Sequence, residues 1–98
     1  MCGSYSKAEA DDSEVAAAAN FAMLAKEKEL RKSDQDARVS LVEIIEALKQ
    51  VVAGVNYKMK LRVNMNGNEI LAEVIVWKKL SDDYDLCSWK KCEPAKKQ

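Results

Sequence analysis

A chain of 98 residues with 48 % apolar side chains suffices for one compact core, and a single domain spanning 1–98 is expected. Its 16 lysines and arginines balance its 16 aspartates and glutamates, so no net field draws it to nucleic acid or to an anionic membrane. Histidine is absent, which removes the commonest general base, the commonest zinc ligand and the usual partner of a nucleophilic cysteine or serine. An enzyme is therefore disfavoured, and no cofactor or metal is expected.

Residues 1–10 mix Gly, Ser, Lys and Glu without an apolar period and read as a flexible or extended arm. The opening Met1-Cys2-Gly3-Ser4 lacks the basic-then-apolar pattern of a secretory signal, and no window approaches the roughly 18 apolar residues of a membrane span. A helix is predicted next. Asp11 with Glu14 has the form of a capping box, and Asp11, Asp12 and Glu14 place negative charge at the positive end of the helix dipole. Val15, Ala18, Ala19, Ala22 and Met23 form one apolar stripe, widened by Phe21, Leu24 and Ala25, and its small alanines suit close packing on a sheet. Lys28, Arg31 and Lys32 suit the negative pole, and the stop is expected around Ser33-Asp34-Gln35-Asp36.

Local pattern divides over Val39 to Val52. Leu41, Ile44, Ile45, Leu48 and Val52 fall at helical spacing, and Ser40 with Glu43 makes a second capping box, which favours helix. As a strand the stretch is apolar on both faces, which a twisted or bulged strand tolerates. The next segment is unambiguous: Val55, Tyr57, Met59, Leu61, Val63 and Met65 alternate with polar residues, the period of a half-buried strand. Asn66-Gly67 then suits a tight hairpin turn. A second strand is predicted from about Glu69 to Lys78, with Ile70, Ala72, Val74 and Val76 on one face and Leu71, Glu73, Ile75 and Trp77 on the other. After a loop at Ser81-Asp82-Asp83, a short strand is expected around Tyr84 to Lys91.

Cys2, Cys87 and Cys92 are an odd set, best read as free thiols in a reducing compartment. A Cys87–Cys92 bridge stays open if their strand bends, and Cys2 stands near a terminus where oxidation would cross-link two chains. Lys90, Lys91, Lys96 and Lys97, beside one aromatic, Trp89, read as a solvated tail rather than a nucleic-acid site.

Gln50-Val51-Val52-Ala53-Gly54, followed by Val55-Asn56-Tyr57, resembles the Gln-x-Val-x-Gly signature of the cystatin superfamily. Asn20-Phe21-Ala22-Met23 is similar to the family's helical patch, Gly3 stands where its N-terminal glycine is expected, and Met1-Cys2-Gly3 looks like the start of stefins, its intracellular branch. The resemblance covers nearly the whole chain. It implies an α+β fold in which an antiparallel sheet of four to five strands wraps around one long helix, and it makes Val39 to Gln50 a strand. It also implies the activity: reversible, competitive inhibition of papain-like cysteine proteases of the cathepsin or papain type. Gly3, the Gln50 to Gly54 loop and a second hairpin loop would enter the active-site cleft. Small apolar Val51, Val52 and Ala53 are easily desolvated there, Gly54 permits a tight turn and close backbone approach, and Gln50 supplies internal hydrogen bonds.

The family's Pro-Trp pair at the second loop falls on Leu80-Ser81 when counted back from Cys92, which matches the last cysteine of secreted cystatins; the partner of that cysteine falls near Ala72, so the secreted-type bridge is not available. A cytoplasmic location is implied, with secretion open if a signal peptide has been removed. The legumain-binding Asn of some relatives falls on Asp34, so that second activity is not expected. The alternative to inhibition is a protein-interaction module on the same scaffold, motivated by the departure at Leu80-Ser81. The active form is expected to be a monomer; strain in the Val51 to Ala53 loop would favour a domain-swapped dimer.

Overall fold

The computed structural model describes residues 5–92. In chain order these form β1 (Ser6–Ala8), α1 (Ser13–Leu30), β2 (Val39–Val52), β3 (Gly54–Met65), β4 (Asn68–Lys78) and β5 (Tyr84–Cys92). The five strands make one sheet in sequence order, each antiparallel to the next, with α1 packed across one face. This is the α+β sheet-around-helix architecture expected, with five strands.

Within the segment read as a flexible or extended arm, Ser6–Ala8 pairs along Ala47–Lys49. The helix starts one residue later than the capping-box reading: Asp12, with extended backbone, is the N-cap and its carboxylate accepts from the Glu14 N–H at 2.8 Å. Glu14 is thereby released from capping and reaches Lys78 instead. At the other end α1 stops at Leu30, short of Ser33. Arg31 donates from Nε to the Ala37 carbonyl at 2.9 Å and folds the following loop back over buried Ala37.

Val15, Ala18, Ala19 and Ala22 are fully buried. Their small side chains bring the helix close enough to meet Met59, Leu61 and Val63 of β3 and Ala72, Val74 and Val76 of β4, all buried. Phe21 packs at the edge, its ring stacked on Tyr84 at 5.3 Å between centroids. Leu24, read as widening the apolar stripe, is 67 % exposed, because it lies on the side of the helix opposite Val15, Ala19 and Ala22, which face the sheet.

The helix-like spacing of β2 has a structural cause. Its register shifts between Leu41 and Glu43 and between Ile44 and Glu46, so Val42 and Ile45 are bulged out and exposed. The residues facing the core are Val39, Leu41, Ile44 and Ala47. Each bulge turns a step of two into a step of three, which imitates a helical repeat.

At the hairpin between β3 and β4, Asn66 and Gly67 both have positive φ, 55° and 89°, as the turn prediction requires. The side chain of Asn66 accepts from the Arg38 N–H at 2.8 Å, fastening the loop after the helix to this turn. Cys87 is the extra residue where β5 shifts against β4, and Cys92 ends the same strand. Strand rise of about 3.3 Å per residue separates them by roughly 16 Å, well beyond the ~7 Å a disulfide spans, so the bridge left open by the sequence is not formed.

Candidate functional site

The β2–β3 ladder is paired to its last residues: Gln50 faces Asn56, Val51 faces Val55 and Val52 faces Gly54, leaving Ala53 at the tip. The first rung is reinforced by side chains, Asn56 Nδ2 donating to Gln50 Oε1 at 3.1 Å. Gly54 has φ of 97°, in the left-handed region that L side chains avoid. A β-carbon there would also run into the carbonyl oxygen of Lys78 on β4. The tight turning expected of this glycine is present, and the backbone it approaches closely here is the chain's own, at Lys78. Val51 is 70 % exposed and Val52 37 %, an unusual degree for valines in a paired strand.

The second turn, between β4 and β5, lies at the same end of the sheet, because Val55 pairs with Lys78 and Gly54 abuts the Lys78 backbone. The Asp82 N–H donates to the Lys79 carbonyl at 2.9 Å and the Lys79 N–H to the Asp83 carbonyl at 2.7 Å, closing a short loop through Leu80 and Ser81. Asp82 takes φ of 72°, a conformation Asp tolerates better than most residues. Ser81 donates from Oγ to Asp83 Oδ2 at 3.1 Å, and Leu80 projects with 80 % of its surface exposed. Antiparallel pairing of Ser6 with Lys49 directs the chain from Ser6 back through Tyr5 toward this same end. Gly3 lies outside the described residues.

Charges sit behind the rim. Lys78 Nζ bonds Glu14 Oε1 at 2.6 Å and lies 3.9 Å from Asp82 Oδ1, tying the helix start to the second turn. The hydrogen bond to Glu14 raises the Lys78 pKa above the usual lysine range. Nearby Tyr57 is also raised, first by burial and then by the negative charge of Glu14. Lys79 Nζ pairs with Asp85 at 3.0 Å. The tip itself, Val51, Val52, Ala53 and Leu80, is apolar and carries no titratable group. Such an edge can enter and fill a narrow apolar cleft.

One residue at this edge escaped the sequence reading. Trp77 Nε1 donates to the Ala53 carbonyl at 2.8 Å, so the indole touches the tip of the first loop. The signal was present: with Asn66-Gly67 as a two-residue turn, the register necessarily sets Trp77 opposite Asn56.

A family model of the cystatin domain matches residues 3–96. Among solved structures, mialostatin, a gut cystatin of the hard tick Ixodes ricinus, superposes with a TM-score of 0.72 at 15 % identity, covering 93 % of this chain and 99 % of that one. A salivary cystatin of the soft tick Ornithodoros moubata gives 0.72 at 13 % identity, over 95 % and 100 %. Al-CPI gives 0.66 at 21 % identity, over 92 % and 100 %. No curated protein sequence matches the chain. With the family model spanning nearly its full length and the sheet, helix and turn geometry in agreement, the chain belongs to the cystatin family.

Proposed function

We propose that the protein is a reversible, competitive, tight-binding inhibitor of papain-like cysteine proteases, acting as a monomer through the edge formed by Gln50–Gly54, Leu80 and Ser81, with Gly3 in the preceding arm. The observation that carries this reading is the exposure of Val51, Val52 and Leu80 on two closed turns at one end of the sheet. Apolar side chains held out into water on a paired scaffold gain from burial in a cleft at about 25 cal/mol per Å2. Because the turns are already formed, little ordering cost is subtracted on binding. Inhibition is then steric: the edge fills the cleft beside the catalytic thiol, and no bond is made or broken.

The test is steady-state inhibition of papain and of cysteine cathepsins under reducing conditions. Raising substrate should raise the apparent inhibition constant in proportion, and Val51→Asp with Val52→Asp should abolish inhibition while the fold survives. A substrate-independent constant would rule out occupation of the cleft.

Leu80-Ser81 in place of the Pro-Trp pair favours one second reading, an interaction module that has lost inhibition. On that reading, altering Gln50 to Gly54 leaves partner binding unchanged. The monomer requirement follows from the Ala53 turn: if it opens, α1 with β1 and β2 can exchange between two chains, and the straightened loop no longer fits a cleft. Size-exclusion fractions assayed separately test this, and a fully inhibitory stable dimer would contradict it.

A further inference from the structure

We propose that Trp77 is the positioning residue of the inhibitory edge: its indole locks the Val52–Gly54 turn in shape and links it to the Leu80 turn. The consequence for inhibition rests on the function proposed above; the effect on the turn does not.

Three observations meet on this side chain. Ala53 stands outside the β2–β3 ladder, so its carbonyl has no cross-strand partner, and the Trp77 indole N–H supplies one at 2.8 Å. The same nitrogen lies against the open side of Gly54, where a β-carbon would come within 3.0 Å of it. The turn is thus held from one flank by a donor and packed by the ring that carries it. Finally, the Lys79 ammonium sits 5.6 Å from the centre of the Trp77 ring, and Lys79 begins the turn that carries Leu80. Lys79 is itself anchored to Asp85, the residue facing Trp77 across the β4–β5 ladder. One half-buried indole therefore touches both turns without being at either tip.

The chemistry selects tryptophan. Phenylalanine retains most of the packing but cannot donate a hydrogen bond, and tyrosine places its hydroxyl at the far end of the ring instead of at the indole edge. A looser turn populates its cleft-fitting shape for only part of the time, and the apparent affinity falls by that fraction. Tip residues would still be present in such a variant; what changes is how they are held.

Trp77→Phe separates this role from general support of the fold, with Trp89→Phe as control. Nitrogen-15 relaxation should show lower order parameters at the Val51, Ala53 and Gly54 amides in Trp77→Phe, with the β3 and β4 centres unchanged. Papain inhibition should weaken by about three- to tenfold, the range set by losing one neutral hydrogen bond. Trp89→Phe should alter neither. Unchanged order parameters in Trp77→Phe would overturn the proposal, as would reduced order parameters with an inhibition constant within twofold of the wild type. If the wild type does not inhibit, the functional reading fails while the relaxation comparison still decides what Trp77 does to the turn. Should Trp77→Phe not fold, exchange of the indole proton in the wild type decides: protection supports the bond to Ala53, and free-solvent exchange refutes it.

Discussion

Gly54 carries two constraints that no other residue type meets together, a left-handed backbone and contact with the Lys78 carbonyl. Gly54→Val should cost ~1–2 kcal/mol from the backbone alone, with the collision added, and should weaken protease inhibition more than about tenfold. Urea unfolding and papain inhibition on the same preparation check both halves. Leu80→Ala leaves the turn hydrogen bonds intact, since they use backbone groups and the Ser81 and Asp83 side chains. Its stability should therefore be unchanged while inhibition falls by several-fold to tenfold, because an exposed apolar tip contributes only when a cleft covers it. Behind the tip, Lys78 and Tyr57 both have pKa values raised on folding. The folded state binds those protons more tightly, so their contribution is complete below about pH 10 and is lost as pH rises through the folded values. Melting temperature should fall above about pH 10, and Tyr57→Phe should make that fall shallower; an unaltered alkaline slope in the variant would remove Tyr57 from the explanation.

Among the elements, β2 shows where local pattern misleads. Its bulges at Val42 and Ile45 space the inward residues like a helix, and the choice between helix and strand could not be made from Val39–Val52 in isolation. The family resemblance resolved it, and the physical reason is tertiary: β2 gains a paired strand on both sides near Ala47–Lys49, which outweighs its helical preference. An excised peptide of 39–52 should accordingly turn helical in trifluoroethanol by circular dichroism; a coil under those conditions would refute the claim of an overridden preference. The strand of plain alternation, β3, was legible because it has no bulge and a self-declaring turn at Asn66-Gly67. Its centre is also the least tolerant part of the fold. Met59→Ala, at a site 1 % exposed, should cost ~2–5 kcal/mol by calorimetry or denaturant unfolding.

At the scale of the whole molecule, an unbroken antiparallel order brings the β2–β3 and β4–β5 turns to one end and the β3–β4 turn to the other. Gln50 to Gly54 and Leu80-Ser81, distant in sequence, become one edge for that reason alone. The sequence disclosed the first loop through its signature and the second through counting from Cys92. It did not disclose Trp77 at the site, because a strand tryptophan facing away from the helix reads as ordinary until the register is followed to Asn56. The exposure of Leu24, by contrast, was legible, since nine residues at about 100° each set it on the side of α1 opposite Val15. The chain thus presents an apolar edge on a core built from helical alanines packed against the buried residues of β3 and β4. Titration of a fixed, active-site-counted amount of papain with the folded monomer under reducing conditions tests that account most directly. Activity is predicted to fall in proportion to added protein until nearly one equivalent is present; full papain activity in the presence of about micromolar folded monomer would contradict it.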